Sequence, residues 1–329
     1  VDLAGGTLDI WPLYLYHPNA VTLNFAVSVY TSCRIMPHDG KAITLRSQDQ
    51  NMEETFDSLS TLSAAPKVRN VLAAQVVKHF QPAGGMVVET NSESPQGAGI
   101  SGSSALLIST VSAFNKFCGT RHNIERVREI AQNIEAQVVN VPTGCQDYYP
   151  AMYGGVSAID LTVAGIQRNS MPVDLAELNS RFVLAYTGKP RNSGINNWEV
   201  MKLHIDGDRK VLKNFERIAE IAHGMRGALH SKDWNETARL LREEWSHRKK
   251  NAPSISTPLI DHLVASTKKA GARAAKVCGA GGGGCVVFLC EPDARDRVAK
   301  AIETEGAGQG VKVLPVEVAP KGVVVKTLS

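Results

Sequence analysis

A chain of 329 residues, 43% of them apolar, is long enough for two ordinary domains and can bury a sizeable core. Charged residues make up 21% and the formal net charge is +4, which gives no ground for a nucleic-acid or membrane-surface partner. No apolar run approaches the ~18 residues of a membrane span and no leader pattern stands out, so the expected location is the cytoplasm. The cysteines Cys33, Cys118, Cys145, Cys278, Cys285 and Cys290 form no C-x-x-C and mostly sit in apolar runs, as buried reduced thiols do.

In chain order, residues 21–35 and 84–90 are rich in Val, Thr and small residues and read as strands. Segment 103–118 is almost continuously apolar, too long for a strand, and stops at Gly119, which predicts a buried helix. In 124–139 the residues Ile124, Val127, Ala131, Ile134 and Val138 mark one helical face, with Asn123 as the cap. A strand-like run follows Gly154-Gly155 to Leu161, and another spans 182–187. Helical patterns cover about 208–230, 232–250 and 258–270. A strand, a glycine run, a strand over 285–290, a helix over 292–305 and strands near 311–318 and 322–328 complete the chain. The alternation predicts an α+β or α/β protein with a boundary near 180, giving domains 1–180 and 181–329; sheet order is not readable from it.

Gly97-Ala98-Gly99-Ile100-Ser101-Gly102 satisfies G-x-G-x-x-G. A dinucleotide fold would need a second strand ending in an acid ~20 residues on, whereas the residues near 122 open another helix. No H-R-D or D-F-G follows, and no glycine loop ends in Gly-Lys-Ser/Thr, which excludes a protein kinase and a Walker loop. What remains is a small-residue loop feeding a hydrophobic helix, whose free N–H groups and positive dipole end attract phosphate. Ser103 and Ser104 either reach phosphate and Mg²⁺ or only cap the helix.

Three carboxylates stand near such segments. Glu135 flanks the apolar stripe of 124–139, pointing either to solvent or into a site. Asp147, in Pro142-Thr143-Gly144-Cys145-Gln146-Asp147, is a turn residue, a helix cap or a catalytic group. Asp9, in Gly5-Gly6-Thr7-Leu8-Asp9, is a turn aspartate or a ligand to substrate. Five of the six residues 279–284 are glycine, a run that costs chain entropy between two apolar strands.

Taken together, Val1–Asp9, Pro95–Ala105 and Lys276–Gly284 resemble the three signature motifs of the GHMP kinases, the family of galactokinase, homoserine, mevalonate and phosphomevalonate kinases. The resemblance implies an α+β protein of two domains, the first a ribosomal-S5-like α/β unit and the second ferredoxin-like. It implies ATP and Mg²⁺ as cofactors, with Pro95, Gly97, Ala98, Gly99, Ile100, Ser101, Gly102, Ser103 and Ser104 around the nucleotide. It implies Asp147 as catalytic base, with Glu135 and Ser104 as metal ligands. It implies Gly6, Thr7, Asp9, Gly144, Gly281 and Gly282 around a small-molecule acceptor. Family motifs like the first carry an arginine directly before the position of Val1.

Further matches resemble the sugar 1-kinase branch, especially the D-glycero-D-manno-heptose 7-phosphate kinases. They are the Gly-Ile-x-Gly-Ser-Ser-Ala wording, Tyr186-Thr187-Gly188-Lys189-Pro190-Arg191, and Trp245 with Arg248-Lys249-Lys250. The last two segments read equally as a strand-loop and a solvated basic helix end. The branch implies a sugar or sugar-phosphate acceptor phosphorylated at its 1-OH, with Arg191 on an anionic group. Trp11-Pro12 after Asp9 departs from heptose-kinase wording. Fucose, glucuronate, galactose and mevalonate kinases, and a non-catalytic sensor of the same fold, stay open, as does a homodimer.

Overall fold

The computed structural model describes residues 1–190, 195–251 and 253–328. The first half contains β1 (Asp2–Ala4), β2 (Val21–Phe25), β3 (Thr31–His38), β4 (Ile43–Ser47), β5 (Met52–Phe56), β6 (Gly85–Ser92), β7 (Val156–Thr162) and β8 (Gly165–Ser170). Its helices are α1 (Leu59–Ala64), α2 (Val71–Phe80), α3 (Gly102–Phe117), α4 (Ile124–Val139), α5 (Tyr149–Tyr153) and α6 (Leu175–Arg181). The strands form two sheets, ordered β1-β2-β7-β8 and β3-β6-β4-β5. All the pairings are antiparallel except that of β4 with β6.

The second half supplies β9 (Phe182–Tyr186), α7 (Ile195–Ile205), α8 (Arg209–His230), α9 (Trp234–Asn251), α10 (Pro258–Ala270), β10 (Ala272–Val277), β11 (Cys285–Cys290), α11 (Arg295–Glu305) and β12 (Lys312–Leu314). Its strands form a third, antiparallel sheet ordered β10-β11-β9-β12. An N-terminal α/β part and a C-terminal α+β part thus share the chain.

Local chemistry accounts for the elements that hold the site. Asn123 takes the Arg126 backbone N–H at 2.8 Å and starts α4; Asn140, in the left-handed region, ends it. Inside α3 the hydroxyls of Ser109 and Thr110 donate back to the carbonyls of Ala105 and Leu106, so polar residues sit in an apolar helix without loss. One core lies between β3–β6 and helices α2, α3 and α4, around Leu45, Val88, Leu107, Val111, Phe114 and Ile134. A second core joins the two halves. Leu23 and Phe25 of β2 share it with Phe182, Leu184, Met225 and Val287, and the Phe25 and Phe182 rings meet edge-on at 5.0 Å.

Several sequence expectations change. The strand expected over 21–35 is two strands in different sheets. The one expected over 311–318 pairs with β9 only from Lys312 to Leu314, since Pro315 has no N–H for the ladder, and then meets Val27 in a single antiparallel bridge at Val318. No strand forms over 322–328: Val324 and Leu328 are exposed and the segment finds no sheet edge, although Val323 donates to the Ala151 carbonyl at 2.7 Å. The helix expected over 292–305 opens as a short tight turn and is α-helical from Arg295. None of the six cysteines is in a disulfide. Among the described residues no helix is long and apolar enough to cross a membrane.

Candidate active site

A cavity of about 860 Å³ brings the first two glycine segments, the α4 carboxylate and the Asp147 turn together, with Gly279 and Ala280 at its edge. That volume suits a small-molecule site. Its lining includes Thr7, Asp9, Pro95, Gly97, Ala98, Gly99, Ser101, Gly102, Ser103, Ser104, Glu135, Gly144 and Asp147.

The loop after Pro95 turns through three left-handed residues, Gly97, Gly99 and Ser101, at φ of 66, 75 and 63°. Gly99 suits this conformation because it has no Cβ. Alternation of this kind turns successive backbone N–H groups to one side, as anion-binding nests do. Ser101 precedes α3 without a side-chain cap bond, so Ser103 and Ser104 lie in the first helical turn. The loop is tied to the third sheet here: the Cys285 N–H donates to the Ala98 carbonyl at 2.6 Å. Ile100 is buried in the second core and does not line the cavity.

Glu135 points inward, not to solvent. Its carboxylate accepts the Ser103 hydroxyl at 2.5 Å, the Ser104 hydroxyl at 2.9 Å and the Tyr148 hydroxyl at 2.5 Å. Burial raises its pKa above the ordinary value, and the three hydroxyls pull it back down. Burial likewise pushes the Tyr148 phenol up, and the Glu135 charge adds to it. The serines therefore serve Glu135 and do not cap α3. Two hydroxyls and a carboxylate are the hard oxygen donors that a Mg²⁺ ion takes, in the small number it uses when phosphate and water complete its shell.

Asp9 is buried and accepts the Gln146 backbone N–H at 2.9 Å. Its pKa is raised from 3.8 to about 7, first by burial and then by the charge of Asp147. Gly144 passes so close that a Cβ there would stand 2.0 Å from Asp9 Oδ2. Asp147 is half-buried on the turn Gln146–Tyr148. Among the described residues its carboxylate makes no hydrogen bond or ion pair, and it lines the cavity. Asp147 thus stands near enough to both Asp9 and Glu135 for its charge to reach them, at a phosphate-type loop.

Not every expected residue gathers here. Gly281 and Gly282 lie against Ile255 and Ser254, and the Gly282 N–H donates to the Ile255 carbonyl at 2.8 Å, so these two lie outside the cavity lining. Gly6 sits behind the cavity, against the side chains of Arg248, Asp2 and Gln146. Arg191 falls outside the described residues.

Sequence reasoning missed a buried charge network beneath the site. Lys276 is fully buried, with its ammonium 2.6 Å from Asp2 and 3.7 Å from Glu244. Glu244 also accepts the Gly5 N–H at 3.2 Å, and burial raises its pKa to about 7 against the pull of Lys276. Arg248 is buried beside them, not in a solvated helix end, while Lys249 and Lys250 are exposed. Two signals were present: a lysine inside the apolar strand Ala274-Ala275-Lys276-Val277, and Arg248 on one helical face with Leu241, Glu244 and Trp245.

Comparison with known proteins agrees with this geometry. The family models "GHMP kinases N terminal domain" and "GHMP kinases C terminal" match residues 68–155 and 225–308. D-glycero-alpha-D-manno-heptose 7-phosphate kinase of Campylobacter jejuni subsp. jejuni serotype O:2 is 27% identical over 314 residues, covering 93% of this chain and 91% of that protein. The mevalonate kinase of Thermococcus sibiricus is 28% identical over 243 residues, covering 70% of this chain and 67% of its own. A crystal structure of a D-glycero-D-manno-heptose 1-phosphate kinase from Bacteriodes thetaiotaomicron superposes with a TM-score of 0.76 at 21% identity, covering 99% of this chain and 97% of that one. With both domain models matched in order and their loops meeting at one cavity, the chain belongs to the GHMP kinase family, as an ATP-dependent small-molecule kinase of that fold.

Proposed function

We propose that this kinase transfers the γ-phosphate of ATP to the anomeric hydroxyl of a sugar or sugar phosphate, with a heptose 7-phosphate as the leading acceptor. The observation that carries the reading is the meeting of a left-handed glycine loop, a hydroxyl-bound Glu135 and the two carboxylates Asp9 and Asp147 in one cavity. The likeness to the Campylobacter heptose kinase over 93% of the chain supports the acceptor. We place the domain boundary near 180, where the chain enters the third sheet.

In this reading the loop 97–104 holds the ATP phosphates on backbone N–H groups at the start of α3. Glu135 and Ser104 would hold Mg²⁺, which would neutralise phosphate charge when bound. Asp9, Gly6, Thr7 and Gly144 position the acceptor. Asp147 takes the proton of the attacking hydroxyl as the new O–P bond forms and the bond from the γ-phosphorus to the bridging oxygen of ADP breaks. Gly281 and Gly282 close the loop behind the site, and Arg191 is the candidate for an anionic group on the acceptor. A coupled assay for ADP release tests the reading across heptose 7-phosphate, fucose, glucuronate, galactose and R-mevalonate. Heptose 7-phosphate should give the highest kcat/KM. Turnover with mevalonate alone would replace the sugar reading by a mevalonate-type one.

A further inference from the structure

Arg248 reaches the cavity from α9, and among the described residues it is the one cation lining it. The carboxylates of Asp2, Asp9, Asp49, Glu93, Glu135 and Asp147 line the same space. The Arg248 side chain is buried, and its Nη2 donates to the Gly279 carbonyl at 2.8 Å. Its Nη1 lies 3.9 Å from Asp2 Oδ2, too far for a hydrogen bond. That Asp2 oxygen already takes the Lys276 ammonium at 2.6 Å, so Asp2 does not consume the guanidinium charge. On its other side the guanidinium lies against the first glycine segment: a Cβ on Gly6 would stand 2.4 Å from Nη1. A guanidinium carries five N–H donors in a rigid fork, and the one hydrogen bond described here leaves most of them for a ligand.

What those donors can hold follows from their neighbours. Asp9 lies within electrostatic reach of both Asp2 and Asp147. With Asp2 paired to Lys276, a carboxylate or phosphate brought beside Arg248 would still meet the carboxyl groups of Asp9 and Asp147 against one accessible cation. A neutral polyol meets no such repulsion, and its hydroxyls find both acceptors and a charged donor.

We infer that Arg248 is a specificity-determining residue whose guanidinium donates to uncharged oxygens of a polyhydroxylated acceptor, in a subsite that disfavours acceptors carrying a carboxylate at that point. Any phosphate on the acceptor then lies away from this corner. The inference rests on the kinase reading above and names a residue that selects its polyhydroxylated acceptor.

The test compares the unmodified enzyme with Arg248→Met and Arg248→Lys. Initial rates are measured against the best sugar of the panel and against R-mevalonate, and ATP binding is measured by calorimetry. Loss of a charge-assisted hydrogen bond should raise the sugar KM in Arg248→Met by about 10- to 100-fold. ATP affinity should stay within about twofold, which a general structural defect would not allow. Arg248→Lys keeps the charge without the fork and should recover part of the loss; it carries the test if the methionine variant does not fold. An unchanged sugar KM in either folded variant would overturn the inference while leaving the kinase reading intact. Mevalonate used by the unmodified enzyme as well as any sugar would overturn it too. Absence of turnover with every acceptor, despite ATP binding, would remove the reading and the inference together.

Discussion

Glu135 is surrounded by hydroxyls, not by cations, and that decides what it can do. A buried carboxylate with no basic partner is costly to ionise, and among the described residues only Ser103, Ser104 and Tyr148 hydrogen-bond to it. A bound divalent cation would supply what is missing, so Glu135→Gln should raise the Mg²⁺ concentration for half-maximal rate by about tenfold or more. An unchanged metal titration would refute that role. Asp147 differs: it is half-buried, faces the cavity and makes no bond of its own among the described residues. Asp147→Asn keeps the shape, so ATP affinity should persist while kcat falls by about 100-fold or more; near-normal turnover would end its assignment as base. Asp9 gives a pH prediction. Its folded pKa of about 7 lies above the ordinary 3.8, so the folded protein keeps a proton that the unfolded chain releases. The resulting stability is present at low pH and is lost as pH rises through about 7. Glu244 behaves in the same sense. Ligand-free Asp9→Asn should therefore lose less Tm between about pH 5 and pH 8 than the unmodified protein. Equal slopes would contradict the shift.

At the scale of the element, the helix that follows the glycine loop is the proposed phosphate platform. Gly99 sits at φ 75°, where a β-branched residue is strained. Gly99→Val should abolish ATP binding by calorimetry while the circular dichroism spectrum and melting transition persist; retained affinity would move the nucleotide elsewhere. Helices α3 and α4 were legible in the sequence because their signals are local: an apolar run ending at Gly119, and a stripe opened by Asn123. The inward turn of Glu135 was not, because the edge of an amphipathic stripe faces solvent or a site according to what packs beside it. Here Tyr148 and the α3 serines decide. The strand expected over 322–328 failed for the opposite reason. Its apolar residues have strand propensity, but pairing needs a free edge and none meets it.

For the whole molecule, the cavity exists because residues far apart in sequence meet under it. Lys276 and Asp2 are 274 positions apart and 2.6 Å in space. No window of sequence contains that pair, so the lone lysine in an apolar strand and Arg248 on an apolar helix face marked buried cations without naming their partners, while the glycine motifs were plain. The second core, shared by β2, α8 and the third sheet, holds the two halves in the arrangement that lets Cys285 reach Ala98. On the function proposed above, this assembled cavity phosphorylates the anomeric oxygen of a sugar. The most direct measurement is ³¹P NMR of the product made from ATP, Mg²⁺ and D-glycero-D-manno-heptose 7-phosphate. The expected result is a new phosphoryl resonance coupled to the anomeric proton, appearing in step with ADP. ADP release with no such resonance, or phosphorylation at another oxygen, would contradict it.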